Sequence, residues 1–292
     1  PGSYNMGPDQ VEAVLSPHTR AIVVAHISGE PADMDPILEI ADSRDIPVIE
    51  DCAQAHGATY KGRLVGSMGT AGAFSTMSGK HHATAAQGGV VFTKDEDLYW
   101  RIKRFSDRGK PFNLEVTSNP RAGLNLNGTD LAAAVGRVQL RKLPEITRRR
   151  QHAAHIILEG LEELTSLSAT RMSEGTNSAY WFMPIRVDHT KLTVDKNTFA
   201  KALAAEGIPL SVYYGRVVPH SIWFEERKVF GTSDYPWGLP DYKGDRDAIF
   251  RCPNAVEARN SMFVIRLHEQ WEEQEARDAV EGMRKVEDAY LK

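Results

Sequence analysis

The amino-acid sequence predicts an α/β fold: a mainly parallel central sheet flanked by helices, followed by a smaller α/β C-terminal domain. Two observations lead to this prediction. Short runs rich in Val and Ile alternate with stretches of helical periodicity, and the order strand, helix, strand is typical of parallel βαβ units. In addition, 41% of the 292 residues are hydrophobic and 25% are charged, a balance that excludes a largely disordered, collagen-like or coiled-coil chain.

The first βαβ unit is predicted near the start of the chain. Residues 20–26 are a short apolar run, which suits a strand buried on both faces. Residues 33–43 have apolar side chains at helical spacing, and residues 46–50 form a second apolar run. Because a helix connects them, these two strands are expected to be parallel neighbours in one sheet.

Two strands and two helices are predicted in the next part of the chain. Residues 72–77 and 88–93 resemble strands, and a cluster of acidic side chains favours the start of a helix over about 95–107. Residues 110–128 carry Pro, Asn and Gly with little periodicity, and we predict a loop there. A further helix is expected from about residue 130.

A domain boundary is predicted at Pro144. Proline lacks the N–H that a helix interior needs, so we expect Pro144 to separate that helix from a second one over about 145–165. The first domain is therefore predicted to span residues 1–144 and the second residues 145–292. The elements predicted in the second domain are strands 180–187, 209–213 and 261–266, helices 196–206 and 269–289, and a long irregular stretch over 215–258.

Charge and cysteine content argue against several kinds of partner and location. The 35 basic and 39 acidic residues give a formal net charge of −4, so neither nucleic acid nor a membrane is expected as a partner. Two cysteines, Cys52 and Cys252, cannot make a disulfide scaffold, and reduced thiols are typical of the cytoplasm. No apolar run of the sequence is long enough to cross a bilayer, and we expect a cytoplasmic protein.

Asp51 and Lys80 are the residues whose placement points most directly to chemistry. Asp51 follows the strand at 46–50, and open α/β sheets bind ligands beyond the carboxyl ends of their strands. Lys80 lies in a turn after the strand at 72–77, where partial desolvation would lower its pKa and make it a nucleophilic amine. The two together suit pyridoxal phosphate (PLP), which needs a lysine for its aldehyde and an acid for its pyridinium nitrogen.

Three histidines deserve a separate prediction. His26 ends a strand at the same predicted sheet edge as Asp51, and we expect it to line the pocket. His152 and His155 lie three residues apart on a predicted helix, a spacing that a metal site can use. Because the sequence offers no further ligands beside them, we expect a solvated helix face and predict no metal.

Several segments, in consistent order and spacing, resemble the DegT/DnrJ/EryC1/StrS aminotransferases, the PLP-dependent sugar aminotransferases of fold type I. The matching segments are GEPADMD (29–35), VIEDCAQAHGATYKG (48–62), FSTMSGK (74–80), GGVVFT (88–93), and GLNLNGTD with GRVQLRKL (123–143). The resemblance implies the fold-type-I architecture, with residues 1–144 as the PLP-binding large domain. Family members carry a further N-terminal segment of that domain before the position of Pro1, and we expect this part to be absent here.

The resemblance implies roles for five residues. Lys80 would be the catalytic residue, which holds PLP as a Schiff base and moves the proton during transfer. Asp51 would pair with the pyridinium nitrogen, Gln54 would lie against the ring, and Ser75 would donate to the phosphate. Asn125 matches an asparagine that reaches the phosphate of the neighbouring subunit in this family, which implies a homodimer with shared active sites.

Substrates are implied by the same resemblance. The amino donor would be L-glutamate or L-glutamine, and the acceptor a keto-sugar, often nucleotide-linked in this family, or a keto-cyclitol. Tyr213, Tyr214 and His220 fall in the segment that leads into the family's substrate pocket. With His26, they are the predicted substrate-binding residues; packing in an aromatic core is the alternative for the two tyrosines.

Two other functions stay open. One branch of the family comprises sugar dehydrases in which a histidine replaces the lysine, and here His81 and His82 follow Lys80. The spacing from Ser75 nevertheless puts Lys80 at the position of the PLP lysine, which favours transamination. The other alternative is a non-catalytic PLP-binding protein or an inactive fragment, against which the complete set of predicted cofactor ligands argues.

Overall fold

A computed structural model describes residues 2–292, and its helices and strands alternate as the sequence predicts. In chain order the elements are α1 (Pro8–Val14), β1 (Ile22–Ala25), α2 (Met34–Asp42), β2 (Val48–Asp51), β3 (Thr59–Tyr60), β4 (Arg63–Leu64), β5 (Ala71–Ser75), β6 (Gly89–Phe92), α3 (Glu96–Ser106), α4 (Asp130–Leu161), β7 (Leu167–Ala169), β8 (Thr176–Asn177), β9 (Met183–Val187), α5 (Lys196–Ala205), β10 (Leu210–Ser211), α6 (Ile222–Glu225), α7 (Pro253–Ser261), β11 (Met262–Ile265) and α8 (Glu273–Tyr290).

The first sheet has the strand order β1-β2-β5-β6. Strands β1, β2 and β5 run parallel, and β6 runs antiparallel to β5, so the sheet is mainly parallel, as predicted. Helix α2 covers one face, because Met34 and Ile37 are fully buried and pack with Val24 of β1. The expectation that β1 is buried on both faces is wrong: Val23, which points to the other face, is 55% exposed.

The second four-stranded sheet has the order β10-β11-β9-β7, and all of its neighbours are antiparallel. Its core is formed with helices α4, α5 and α8, whose side chains Ile157, Phe199 and Met283 are fully buried. A three-stranded sheet, β4-β3-β8, joins the halves of the chain, because β8 pairs with β3. This pairing carries the chain that follows β8 towards the first sheet.

The predicted helix break at Pro144 is wrong. Helix α4 runs unbroken for 32 residues with Pro144 inside it. Proline removes one backbone hydrogen bond from a helix, but the turns that follow are held by packing: Ala153, Ile157 and Leu161 are buried against the second sheet. A continuous helix is compatible with two domains, and the boundary between residues 144 and 145 stays a prediction.

The stretch predicted to be irregular, 215–258, contains helix α6 and most of helix α7. The sequence pattern does not reveal α7 because only Ala258 is buried along it, so it has no apolar stripe. Both cysteines, Cys52 and Cys252, are free thiols, and the cytoplasmic location inferred from reduced cysteines remains a prediction. Across residues 2–292, none of the helices is long and apolar enough to pass through a membrane.

Candidate active site

Asp51, Ser75 and Lys80 lie at one edge of the first sheet. Asp51 is the last residue of β2, Ser75 is the last residue of the parallel neighbour β5, and Lys80 follows in the turn after β5. Parallel strands end at the same edge of a sheet, and ligands of open α/β sheets bind there. The structure therefore brings these three predicted residues together at a position where a cofactor can be held.

The Lys80 amine is half-buried, and its environment favours the neutral form. Burial lowers the pKa of Lys80, and the nearby Asp51 carboxylate opposes this shift only in part. The ammonium nitrogen Nζ lies 3.6 Å from the centre of the Trp181 ring, within the range of a cation–π contact. A lysine with a lowered pKa presents a larger fraction of nucleophilic amine at neutral pH.

Trp181 and Ser28 are site residues that the sequence analysis missed. The indole Nε1 of Trp181 donates to the Gly79 carbonyl at 3.1 Å, and its backbone N–H donates to the Ser28 carbonyl at 2.8 Å. Ser28 is fully buried in a left-handed conformation (φ 61°), and its Oγ has no hydrogen-bond partner within residues 2–292. A non-glycine residue held at positive φ is a strained position, a feature that clusters at functional sites.

Gln54 is fixed by residues from both halves of the chain. Its Oε1 accepts from the Ser28 backbone N–H at 2.7 Å, and its Nε2 donates to the Tyr214 hydroxyl. The Tyr214 ring lies 5.8 Å from that of Tyr4 and 5.7 Å from that of Phe182, between centroids. Burial raises the pKa of Tyr214, so its phenol stays neutral. The Tyr214 hydroxyl is thus held at Gln54, and the predicted role of Tyr214 in substrate binding stays a prediction.

The other predicted residues lie further from Lys80. Asn125 is exposed, and its Oδ1 accepts from Asn127 Nδ2 at 2.9 Å. His220 is exposed, with Nε2 3.1 Å from the Phe250 carbonyl oxygen. Within the described chain, no hydrogen bond connects either of them to Lys80. Their predicted roles, at a subunit interface and in substrate binding, therefore stay predictions.

His26 is buried, and its ring nitrogens are both engaged, so it does not line an open pocket. Its Nδ1 accepts from the Ala32 backbone N–H at 3.0 Å, and its Nε2 lies 3.2 Å from Glu50 Oε2. Because Nδ1 accepts, the Nε2 proton is the one donated to Glu50. The prediction that His26 contacts substrate is corrected accordingly: the ring anchors Glu50 behind the sheet edge.

Glu50 is the centre of a buried network beneath Asp51. Its Oε2 accepts from the Gly66 N–H at 2.6 Å, and its Oε1 accepts from the N–H groups of Met68 and Gly69 at 2.8 and 2.7 Å. Burial opposes ionisation, but the hydrogen bonds from His26 and these backbone groups outweigh it and hold the pKa of Glu50 below its ordinary value. The carboxylate thereby fixes the turn at 66–69 against β2.

The side chains of His26, Glu50 and Cys52 lie close enough together to suggest a metal site. The ligand atoms of His26 and Glu50 are nevertheless engaged in the hydrogen bonds just described, and Cys52 Sγ donates to the Glu50 carbonyl at 3.7 Å. Burial, followed by the charges of Glu50 and Asp51, raises the pKa of the Cys52 thiol. A protonated thiol is a poor metal ligand. The geometry therefore supports a structural network at this position rather than a metal centre.

His152 and His155 are both exposed on α4 and pair with acidic side chains. His152 Nε2 lies 3.1 Å from Glu273 Oε1, and His155 Nε2 lies 3.1 Å from Glu159 Oε1. Exposed pairs of this kind contribute little to stability. The arrangement agrees with the solvated helix face expected from the sequence.

The histidines next to the Lys80 turn are buried and neutral. Burial, followed by the charges of His82 and Lys80, lowers the pKa of His56 to about 4, and burial followed by Arg150 lowers the pKa of His81 to about 3. His81 Nε2 donates to the Ala179 carbonyl at 2.9 Å. His81 is thus directed into the protein, and Lys80 is the residue of this turn that reaches the sheet edge.

Glu30 is a buried carboxyl group two residues after Ser28. It is 2% exposed, and Thr170 Oγ1 donates to its Oε1 at 2.5 Å. Burial raises the pKa of Glu30 to about 7, although the hydrogen bond from Thr170 favours the ionised form. Ionising this group therefore destabilises the folded protein.

We expect Glu30→Gln to stabilise the protein only at high pH. The unfolded carboxyl titrates near 4.5 and the folded one near 7, so the penalty develops between these values and is complete above about pH 7. The gain is at most about 3 kcal/mol above pH 7 and close to zero below pH 4.5. Urea unfolding at several pH values measures it; a gain that is independent of pH would contradict the assignment.

The sequence of this chain is similar to those of known aminotransferases. The model of the DegT/DnrJ/EryC1/StrS aminotransferase family matches residues 1–236. An L-glutamine:2-deoxy-scyllo-inosose aminotransferase of Streptomyces lividus is 35% identical over 279 residues, which are 91% of this chain and 64% of that protein. A GDP-perosamine synthase of Escherichia coli O157:H7 is 32% identical over 183 residues, 63% of this chain and 49% of that protein.

A solved structure supports the same assignment. The X-ray structure of an aminotransferase from Psychrobacter cryohalolentis superposes with a TM-score of 0.83 at 29% identity, and the match covers 99% of this chain and 73% of that one. The chain thus spans less than two thirds of the length of the two curated relatives named above. The fold-type-I α/β architecture predicted from the sequence is confirmed, and the chain belongs to the DegT/DnrJ/EryC1/StrS family of PLP-dependent aminotransferases.

Proposed function

We propose that this protein is an aminotransferase that moves an amino group from L-glutamate or L-glutamine to the ketone of a sugar, free or nucleotide-linked, or of a cyclitol. The observation that carries the proposal is the half-buried Lys80 amine, with a pKa lowered by burial, beside the Asp51 carboxylate at the sheet edge. A nucleophilic amine and an acid at the carboxyl ends of neighbouring strands are the groups that PLP chemistry requires.

The side chains at the sheet edge suit PLP. Asp51 Oδ1 accepts from the Ala53 backbone N–H at 3.0 Å, which orients the carboxylate and leaves Oδ2 without a partner in the described chain. That oxygen would hold the proton on the pyridine nitrogen. Ser75 Oγ accepts from the Met77 N–H at 3.4 Å and keeps its own proton to donate to the phosphate. When bound, PLP supplies an electron sink for the carbon that loses its proton.

Lys80 would hold the cofactor and then move the proton. The amine is placed by the turn in which its backbone N–H donates to the Met77 carbonyl at 3.1 Å. Half burial lowers the pKa of the amine and so favours the neutral form that can accept a proton from the substrate carbon. Gln54, held between Ser28 and Tyr214, would fix the position of the ring on the same side of the pocket.

The acceptor class rests on the relatives and on the side chains facing the site. The two named relatives act, by their names, on an inosose and on a GDP-linked sugar. Tyr214 reaches Gln54 with its hydroxyl, and Tyr213 lies beside it in the chain. Aromatic rings with polar tips suit hydroxylated rings such as sugars and cyclitols. The cofactor itself would be contacted by Asp51, Gln54, Ser75 and Lys80.

A homodimer with shared sites is part of this proposal. Asn125, which we expect to reach the partner's site, lies between two exposed apolar side chains, Leu124 and Leu126. The N-terminal half of α4 adds Leu131, Val138 and Leu140, which are also exposed. Clustered apolar surface of this kind marks protein interfaces. Sedimentation of the protein would test whether it is a dimer. Cofactor retention in Asn125→Ala, compared with that of the parent protein, would test whether Asn125 contributes to the shared site.

Spectral titration is the experiment that tests the function. Protein purified with PLP should change the absorbance of its bound cofactor when L-glutamate or L-glutamine is added, whereas D-glutamate serves as the matched control. The converted protein should then return to its first spectrum with a keto-sugar or an inosose and yield the aminated product. A spectrum that responds to no donor would instead support a non-catalytic PLP-binding protein, and a product that has lost water without gaining nitrogen would support a dehydrase.

A further inference from the structure

Two cationic side chains lie against the ring of Tyr213. Lys196 Nζ is 3.9 Å and Arg259 Cζ is 4.1 Å from the ring centre. Both distances are within the range of cation–π contacts. Tyr213 therefore holds two positive charges, and the next residue in the chain, Tyr214, accepts a hydrogen bond from Gln54.

Lys196 contributes its charge without an acidic partner. It is 7% exposed, and its ammonium donates to the carbonyl groups of Val212, Arg259 and Met262 at 2.9, 2.8 and 2.9 Å. Burial, followed by the charge of Arg259, lowers the pKa of Lys196 to about 8, and no carboxylate contributes to this shift. The three ammonium protons of Lys196 thus join the residue after β10 to α7 and to the start of β11.

Arg259, in contrast, has guanidinium N–H donors that make no hydrogen bond within the described chain. Its Nε donates to the Gly215 carbonyl at 3.3 Å. Neither terminal nitrogen of the guanidinium makes a hydrogen bond or an ion pair within the described chain, although the side chain is half-buried. A guanidinium presents its two terminal nitrogens as a planar fork that matches carboxylate and phosphate groups.

Tyr4 connects Arg259 with the candidate active site. Arg259 contacts the ring of Tyr213, and Tyr214, the next residue in the chain, packs against Tyr4. The Arg259 charge also opposes the rise that burial causes in the pKa of the Tyr4 phenol. The Tyr4 hydroxyl is buried and has no partner within residues 2–292. Its ring lies 5.8 Å from that of Tyr214, whose hydroxyl accepts from Gln54. The Tyr4 hydroxyl therefore has a proton that it can donate to a bound group.

We propose that Arg259, with the Tyr4 hydroxyl as a second donor, binds an anionic group of a substrate next to Tyr214 and Gln54. Two sources of such a group are compatible with this geometry: the carboxylate of the amino donor and the diphosphate of a nucleotide-linked acceptor. The identity of the substrates rests on the proposed function, but the anion site itself rests on the contacts of Tyr213, Arg259 and Tyr4.

Equilibrium binding to the protein purified with its cofactor tests this proposal. The probes are glutarate, which has the carboxylates of the donor but no amino group, and inorganic pyrophosphate, measured by calorimetry. We expect at least one probe to bind the parent protein and Arg259→Gln to weaken it by about tenfold or more, the effect of losing charged hydrogen bonds. Loss of glutarate binding assigns the donor carboxylate, and loss of pyrophosphate binding assigns the diphosphate.

Three further variants make the test specific. Arg266→Gln is the matched control, because Arg266 is exposed, pairs with Ser211 Oγ and should leave probe affinity unchanged. Arg259→Lys keeps the charge without the fork and should bind with intermediate affinity. Tyr4→Phe removes a hydroxyl that has no partner, so it should fold normally and bind more weakly.

The outcome is independent of catalysis. If neither probe binds the parent protein, or if Arg259→Gln binds both probes as tightly as the parent does, the proposal is overturned. A protein that transfers no amino group, but loses probe binding with Arg259→Gln and not with Arg266→Gln, would retain the anion site while refuting the proposed function.

Discussion

Lys80→Ala is expected to lower the rate of amine transfer by at least about 10³-fold, the scale of losing a positioned nucleophile and proton carrier. The expectation follows from the geometry of the sheet edge. Lys80 presents a half-buried amine with a lowered pKa next to Asp51. Alanine offers neither an amine to hold the cofactor nor a group to move the proton, and the Asp51 carboxylate cannot take over either task.

The measurement combines turnover with cofactor retention. We expect Lys80→Ala to lose the absorbance of firmly bound cofactor after gel filtration, together with turnover. Lys80→Arg separates charge from nucleophilicity: it keeps a cation beside Trp181 but should be as inactive as the alanine variant, because a guanidinium stays protonated. Lys94→Ala, on an exposed side chain, is the matched control and should retain full activity.

Folding of the Lys80 variants should be close to normal. The side chain is only half-buried, and its cation–π contact with Trp181 is worth about 1 kcal/mol. Thermal unfolding of Lys80→Ala therefore separates a chemical defect from a folding defect. Turnover that survives in Lys80→Ala would contradict the proposed function directly.

Asp51 and Lys80 could be placed from the sequence because local signals are sufficient for them. One signal is a buried apolar strand followed by an acid. The other is a parallel strand followed by a Gly-containing turn with a lysine. Together they predict that both side chains lie at one edge of the sheet. The structure has this arrangement: Asp51 ends β2, and Lys80 follows its neighbour β5. Both strands are near each other in the sequence, so local patterns are enough to predict the sheet edge at which the two residues lie.

Ser28, Trp181 and Arg259 could not be found in this way. Trp181 reaches the Lys80 turn only because β8 pairs with β3 and carries the following residues across to Ser28. Arg259 lies on a helix without an apolar stripe, and its neighbour Tyr213 is 46 residues away in the sequence. Such contacts depend on the packing of the two halves, which periodicity does not describe.

His26 and Pro144 illustrate the opposite error, in which a local signal is overridden by packing. His26 directly follows β1 at the correct edge, but its ring turns inward because the Ala32 N–H and Glu50 engage both nitrogens. Pro144 would end a helix in isolation, yet α4 continues because its later turns are buried against the second sheet. In both cases the tertiary contact is stronger than the local preference.

Glu50→Ala is expected to lower the free energy of unfolding by about 4 kcal/mol at neutral pH, the scale of removing one partner of a buried charged network. Three backbone N–H groups, those of Gly66, Met68 and Gly69, would lose their acceptor. His26 would lose its partner as well, in a region that is closed to water. A buried donor that loses its acceptor lowers the free energy of unfolding by more than the hydrogen bond itself contributed.

Urea unfolding with matched variants isolates this effect. Glu39→Ala, on an exposed side chain of α2, is the control and should change stability by less than about 0.5 kcal/mol. Glu50→Gln keeps the shape but places an amide N–H₂ against backbone donors, so it should be nearly as unstable as the alanine variant. If Glu50→Gln were as stable as the parent protein, charge would not be what the network requires.

The pH dependence distinguishes an ionised Glu50 from a merely well-packed one. Hydrogen bonds to the carboxylate outweigh burial and hold the pKa of Glu50 below its unfolded value of 4.5. A lowered carboxyl pKa stabilises the fold fully above the unfolded value, and this contribution is lost as the pH falls through the folded pKa. The difference between parent and Glu50→Ala should therefore be largest at neutral pH and shrink below about pH 4.5. Glu30 has the opposite sign, since its raised pKa penalises the fold at high pH, so the two variants should depart from the parent in opposite directions above pH 7. A Glu50→Ala difference that stayed constant into acid would mean that the carboxyl acts through packing alone.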